Sequence, residues 1–352
     1  MIGKKLGPYV VEDKLGRGGM GAVYRARDTT SGRTVALKVL LRSSGLISDM
    51  AKRFAKEAEI LASLQHPGIV ALRGGIVQRG EMTFYAMELV NGLSLAQILA
   101  KRGQMPVQES VAVCLGVLDA LAAAHDNGVV HRDIKTSNVL LSRNGRVKVV
   151  DFGLARAVDT SRLTQSGQSL GTPAYMSPEQ ADGSDAGPAS DLYSTGVVLY
   201  ECLAGRQPFR AESPLAVLLK HLRQPPPPIG VADVTKDLET IVQRALAKEP
   251  ADRYPNAVAF ARALRSLGVA GPDDGRPVLR PLALVPAAER RRRSNGPGTE
   301  GATLIDGRDE REPGGPDLRP KRFRFQAALA PRLRRPHRRR PTPLARRSWP
   351  RR

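Results

Sequence analysis

His131-Arg132-Asp133-Ile134-Lys135-Thr136-Ser137-Asn138, followed by Asp151-Phe152-Gly153, is the stretch on which the reading of this chain turns. Two acids and an amide stand on short loops flanking the small apolar, β-branched runs 139–141 and 147–150. Oxygen donors so placed suit a magnesium–nucleotide site. Magnesium takes oxygen ligands and keeps several waters, so one carboxylate and one amide oxygen suffice beside phosphate oxygens.

Upstream, Gly16-Arg17-Gly18-Gly19-Met20-Gly21 is a G-x-G-x-x-G run. Alone it is weak, because turns and dinucleotide folds use the same string. Its context is informative: a dinucleotide fingerprint opens a helix, whereas residues 22–27 continue as an alternating strand. A glycine loop between two strands can lie over a nucleotide with its backbone N–H groups facing phosphate. Residues 35–38 then read Val-Ala-Leu-Lys, a single lysine in an apolar strand. A buried ammonium is costly without partners. Phosphate and a carboxylate would satisfy Lys38, and Glu57, on the helix expected over 49–64, is the carboxylate we choose. The plainer alternative is an edge-strand charge.

Working outward, residues 9–90 read as strands with one helix, and residues 91–270 read as mostly helical. Ala55, Ala58, Leu61, Ala62 and Phe54 recur at helical spacing, and His66-Pro67 ends that helix. Strands are expected over 69–73 and 83–90, and helices over 95–101, 106–127, 191–204, 214–223, 235–246 and 257–267. A strand-rich lobe joined to a helix-rich lobe is an α+β arrangement with a cleft between its parts.

The strings at 16–21, 35–38, 131–138 and 151–153, with Ser177-Pro178-Glu179, occur in the order found in protein kinases. With Gly171-Thr172-Pro173-Ala174-Tyr175-Met176 ahead of it, the whole resembles the eukaryotic-type (Hanks-type) bacterial serine/threonine protein kinases. The resemblance implies a bilobal protein-kinase fold: a β-rich N-lobe (9–90) with one regulatory helix, and an α-rich C-lobe (91–270). Residues 1–8 are then an N-terminal extension. It implies transfer of the ATP γ-phosphoryl group to Ser or Thr of proteins, with Mg²⁺ or Mn²⁺. By position, Lys38 would hold phosphates and pair with Glu57. Asp133 would take the proton of the substrate hydroxyl, and Asn138 and Asp151 would hold the metal. Lys135 would neutralise the γ-phosphate, and Thr172 would bridge base and lysine. Gly16, Gly18 and Gly21 would cover the phosphates. Leu15, Val23, Ala36, Met87 and Leu140 would line the adenine slot, and backbone groups of Glu88 and Val90 would bond the base edge. Asp191 would brace the catalytic loop, and Arg253 would pair with Glu179. The pattern usually has proline at Thr136 and alanine at Ser177.

Between the two halves of the motif set lies a hydroxyl-rich segment, 160–169. Ordinary loop composition is one reading. The other starts from Arg132, whose charge needs an anion that loop phosphorylation supplies. Thr164 and Ser166 are the candidate phosphorylation sites, and autophosphorylation in trans, through a transient dimer, is the implied switch.

Of the 55 Lys/Arg and 34 Asp/Glu, residues 272–352 hold 22 and 9, or +13 of the net +21. This Pro/Arg-rich segment (271–352) cannot bury enough surface to offset its ordering entropy and is expected to be disordered. Three readings stay open for it: a solvated extension, an electrostatic tether to nucleic acid or an anionic membrane, and a frame-shifted artefact. The tether reading supports a rival function, a nucleic-acid- or membrane-tethered scaffold with secondary kinase activity. Cys114 and Cys202 lie in apolar runs and read as buried small hydrophobes, which fits a reducing cytosol. No signal peptide is expected, and the apolar runs are read as buried helices rather than membrane spans, so the location expected is cytoplasmic.

Overall fold

The computed structural model describes residues 1–18, 21–40, 47–79, 82–152 and 173–269. A period of two organises the first half of the chain. Strands β1 (Lys5–Leu6), β2 (Tyr9–Gly18), β3 (Gly21–Asp28), β4 (Thr34–Leu40), β5 (Leu72–Arg79) and β6 (Met82–Glu88) form one antiparallel sheet ordered β1-β2-β3-β4-β6-β5. Along β4, Val35, Leu37 and Val39 enter an apolar cluster with Leu6, Val11, Tyr24, Phe84 and Ala86. Ala36 and Leu40 enter a second cluster with Tyr85 and Met87. Alternation puts Lys38 on the face of Ala36 and Leu40.

Helix α1 (Ile47–Ser63) packs on that same face. Its buried stripe is Phe54, Glu57, Ala58 and Leu61, with Leu64 just beyond the end. Ala62, expected in the stripe, is exposed, because the Phe54 ring packs tilted against Tyr85, 4.9 Å between centroids, and sets the helix rotation. The stripe therefore contains an acid, Glu57, directly beneath the sheet.

The second half is helical. Helices α2 (Leu95–Arg102), α3 (Val107–Asp126), α4 (Pro178–Asp182), α5 (Pro188–Ala204), α6 (Pro214–Arg223), α7 (Lys236–Ala245) and α8 (Ala257–Arg265) surround a three-stranded sheet. That sheet is ordered β7 (Gly92–Ser94), β8 (Val139–Ser142), β9 (Val147–Val149). Several starts are chemically marked: Ser94 with Gln97, and Ser177 with Gln180, form reciprocal capping boxes. Helix α3 is long and apolar enough to cross a membrane by length and composition alone. It instead packs against α5 and α8, with Val111, Cys114, Val117, Leu118 and Leu121 fully buried. Cys202, on α5, is buried as well.

One apolar cluster runs from Ala36, Phe54 and Met87 through Ile69, Val149 and Phe152 to α3 and α5. This continuity holds the two lobes against each other and leaves the polar motifs along their junction. Two expectations change. Residues 1–8 are more than an extension, since Leu6 is buried and Lys5–Leu6 pair with Val10 and Tyr9. The strand expected over 69–73 begins at Leu72 instead. Ile69 makes only an isolated parallel bridge to Val149, which ties the lobes together. Gly153, Thr164, Ser166, Thr172 and residues 270–352 lie outside the described residues.

Candidate functional site

The face shared by Ala36, Lys38 and Leu40 meets α1 on one side and the strand-end after β9 on the other. Lys38 is buried, and its Nζ lies 2.5 Å from Glu57 Oε1 and 2.8 Å from Asp151 Oδ1. Burial opposes the lysine's charge, but Asp151 and Glu57 together hold its pKa above the ordinary value. Burial also pushes the Glu57 carboxyl up to about 7 against the downward pull of Lys38. For Asp151, burial works upward, yet Lys38 more than offsets it and keeps the carboxyl below its usual range. Glu57 Oε2 and the Tyr85 hydroxyl are buried with no hydrogen-bond partner among the described residues. Tyr85 is close enough to feel the Glu57 charge, which adds to burial in raising its pKa.

Asp151 has φ 63°, a left-handed conformation that is strained for a residue with a side chain. Phe152, next along, is fully buried with its ring 4.5 Å from His131. That anchor over-determines the turn and turns Asp151 toward Lys38.

The loop 131–138 carries the second group. Asp133 Oδ2 accepts from Lys135 Nζ at 2.7 Å and from Asn138 Nδ2 at 3.1 Å. Asn138 Nδ2 also reaches the Asp133 carbonyl at 2.9 Å. These bonds fix the amide's orientation and leave its Oδ1 as the opposite, accepting end. The loop is held from below by Asp191, at the start of α5. Its buried carboxylate accepts from His131 N at 2.8 Å, Arg132 N at 2.7 Å and His125 Nε2 at 2.8 Å. Among the described non-glycine residues, Arg132 is the other with a left-handed φ, 63°. Asp191 holds its N–H, and Gln180 Nε2 donates to its carbonyl at 2.9 Å. The Arg132 side chain is exposed, with no acid partner among the described residues. Arg253 makes a two-pronged pair with Glu179, 2.8 Å on each prong, and anchors α4 to the C-lobe.

The expected apolar slot is assembled from β3, β4, β6 and β8. Ala36 and Met87 are register partners, and both are buried. Val23, Val90 and Leu140 pack partly buried against the same cluster. Leu15, on β2, is about half exposed and belongs to neither cluster. The Glu88 N–H is already bonded to the Ala71 carbonyl at 2.8 Å. Among the glycines, Gly16 has open space where a Cβ would stand, whereas a Cβ on Gly21 would lie 2.1 Å from Val39 O. Strand packing is thus enough by itself to demand glycine at 21.

Sequence reasoning missed two polar links. Lys148 Nζ, on β9, binds Glu88 Oε2 at 2.7 Å and joins the interlobe segment to the C-lobe sheet. Thr136 meets Tyr175, which bonds Glu201. An ammonium in the apolar run Val147-Lys148-Val149 was a signal of the first link; the second spans too much sequence to leave one.

The donor set fits a hard divalent cation, since Asp151 and Asn138 both offer oxygen, and Lys38 stands beside Asp151 to balance anionic oxygens. Comparison with known proteins agrees with this chemistry. The family "Protein kinase domain" matches residues 9–262. The serine/threonine-protein kinase PknA of Mycobacterium tuberculosis is 40% identical over 265 residues, covering 74% of this chain and 61% of that protein. The serine/threonine-protein kinase PknB of Mycobacterium leprae is 37% identical over 304 residues, covering 85% and 48%. The chain therefore spans about six tenths of the first relative's length and about half of the second's. A crystal structure of the Mycobacterium tuberculosis PknI kinase domain aligns with TM-score 0.60 at 29% identity, covering 76% of this chain and 98% of that one. By the family match and these identities, the chain belongs to the protein kinase family, in its eukaryotic-type bacterial serine/threonine branch.

Proposed function

We propose that the chain is an ATP-dependent protein kinase that phosphorylates Ser and Thr hydroxyls of proteins, including its own. The observation that carries this reading is the adjacency of two charge clusters, Lys38–Glu57–Asp151 and Asp133–Lys135–Asn138, joined where the Val150 N–H bonds the Asn138 carbonyl at 3.0 Å. Phosphoryl transfer asks a protein for positioning and charge neutralisation rather than covalent chemistry.

In this reading Lys38, steadied by Glu57, holds the α- and β-phosphate oxygens. Asp151 and Asn138 hold Mg²⁺ or Mn²⁺, which when bound with ATP neutralises charge developing on the phosphate oxygens. Asp133 Oδ2 is occupied by Lys135 and Asn138. Its Oδ1 is therefore the oxygen that accepts the substrate hydroxyl's proton as that oxygen attacks phosphorus. Lys135 sits 2.7 Å from the same carboxylate, placed to steady both the base and the transferred group. Thr172 would bridge these two. Leu15, Val23, Ala36, Met87 and Leu140 sandwich the adenine ring. With the Glu88 N–H bonded to Ala71, Glu88 offers the base edge its carbonyl and Val90 its N–H. Gly16 and Gly18 cover the phosphates, and Gly21 serves the turn that carries them. The compartment that suits this chemistry is the cytoplasm.

Control is assigned to the segment containing Thr164 and Ser166. Phosphate there would give Arg132 its anion and order the loop through charge-assisted bonds. The test of the main reading is transfer of radioactive γ-phosphate from ATP to a generic protein substrate. Wild-type chain should label serine and threonine in the presence of Mg²⁺ or Mn²⁺. Asp133→Asn should lower kcat by about 1,000-fold, the middle of the range for a lost general base. Equal labelling by both would end the proposal.

A further inference from the structure

Thr136 occupies the turn Thr136–Asn138, directly after Lys135. Its side chain is buried, and its hydroxyl lies 2.8 Å from Tyr175 OH, across 39 residues of sequence. Tyr175 ends the turn Pro173–Tyr175, which opens the stretch leading into α4. The Tyr175 hydroxyl reaches Glu201 Oε2, on α5, at 2.5 Å, and Gln207 Nε2 reaches the same hydroxyl at 3.2 Å.

The direction of these bonds can be worked out. An ionised carboxylate only accepts, so Tyr175 spends its one proton on Glu201. The Tyr175 oxygen must then accept, from the Gln207 amide and from Thr136. The Thr136 proton is thereby committed to Tyr175, and both turns are tied to one point on α5. Ser194 Oγ adds a bond to the Tyr175 carbonyl at 2.7 Å. The proline of the family pattern has no hydroxyl and could not make the Thr136 bond, so this coupling is a property of this chain's own residue.

We infer that Thr136 is a positioning residue: through Tyr175 and Glu201 it locks the turn that carries Lys135 and Asn138 to the segment 173–177. The inference rests on the proposed kinase reading and adds to it a coupling between the phosphate-handling turn and the segment beside the candidate regulatory loop. It concerns placement, so its signature is in kcat. The apolar slot and Lys38 lie elsewhere and keep the KM for ATP.

The experiment measures kcat and the KM for ATP in full-length wild type, Thr136→Val, Thr136→Ser, Tyr175→Phe and the Thr136→Val/Tyr175→Phe double variant. Valine keeps the shape and removes the hydroxyl; serine restores it. Thr136→Val should lose about tenfold in kcat at unchanged KM for ATP, equivalent to about 1.4 kcal/mol of transition-state stabilisation. Thr136→Ser should recover most of that loss. The double variant should be no slower than Tyr175→Phe alone, because both break one chain. Wild-type kcat in Thr136→Val, a serine variant as slow as valine, or losses that multiply in the double variant would each overturn the inference. Should Thr136→Val fail to fold, Tyr175→Phe alone gives the decision: it removes the oxygen that accepts from Thr136, so kcat should fall at unchanged KM for ATP, and a wild-type kcat would overturn the inference. A wild-type chain without phosphoryl transfer would count against the kinase reading and not against the coupling alone.

Discussion

Asp191→Ala removes the acceptor of three donors at once: the N–H groups of His131 and Arg132, and His125 Nε2. All three distances fall between 2.7 and 2.8 Å, and the carboxylate is fully buried. A hydrogen bond to a charged group contributes about 1.5–3 kcal/mol, so three bonds bring the gross loss to roughly 4.5–9 kcal/mol. Two effects return part of it. The carboxylate's desolvation cost disappears, and Arg132 can relax from φ 63°, where strain of about 1–3 kcal/mol is stored. The net loss should be about 3 kcal/mol, a large part of a domain's ordinary stability. At about 2–4 °C per kcal/mol for a domain of this size, Tm should fall by roughly 6–12 °C.

Asp191→Asn separates charge from connectivity. Its oxygen still accepts from Arg132, but its amide opposes the His131 N–H, so it should sit between wild type and alanine. Both variants should lose activity beyond their loss of folded protein, because a relaxed Arg132 re-aims Asp133, one residue on. Urea unfolding and kinase assays well below Tm would measure the two effects separately. An alanine variant within about 1 kcal/mol of wild type and fully active would refute the reasoning: the three bonds would be consequences of the loop's shape, not its cause.

Lys38→Met should abolish phosphate labelling while leaving a folded chain, because the uncompensated Glu57 can escape its burial by taking up a proton; labelling at the wild-type rate would remove Lys38 from the site. The raised Glu57 pKa predicts opposite pH trends for stability and rate. The folded chain binds that proton more tightly than the unfolded one, so this group's stabilisation is full below about pH 4.5 and is lost as pH rises through about 7. Phosphoryl transfer instead needs ionised Glu57 and should fall on the acid side of about pH 7; Glu57→Gln should lose that limb from its residual rate-pH profile. Thr164→Ala with Ser166→Ala should lower the steady rate about tenfold, or about 1.4 kcal/mol, and remove any concentration-dependent lag of dephosphorylated enzyme. A double variant with unchanged rate and lag would place control elsewhere.

What could be read from the sequence follows the chemistry of isolated charges. Lys38 in an apolar strand had to find an acid, and Glu57 was the acid within reach on the following helix; the structure puts them 2.5 Å apart. The Glu179–Arg253 pair, nearly sealed from solvent, was expected only from the family resemblance. A charge in an apolar run restricts its partners so strongly that spacing alone nearly identifies them. Hydroxyls restrict far less. Nothing about Thr136, Tyr175 or Glu201 marks them as one network, because a hydroxyl is equally at home bonded to water, backbone or another side chain. Glycine is ambiguous in another way. Gly16 and Gly21 look alike in the G-x-G-x-x-G string, yet only Gly21 is forced by a neighbouring strand, 2.1 Å from its missing Cβ. Strand register, which brings Val39 O to that position, is set across the sheet and is not encoded locally. The short edge strand Lys5–Leu6 was lost for a related reason: two residues carry no period, and only the burial of Leu6 against the Val11 cluster reveals the pairing. Charge complementarity in a dry environment is therefore the part of an active site that survives translation into one dimension. The uncharged bonds that hold its turns in place are where a chain can differ from its family while keeping every charged motif residue, and Thr136 is such a difference.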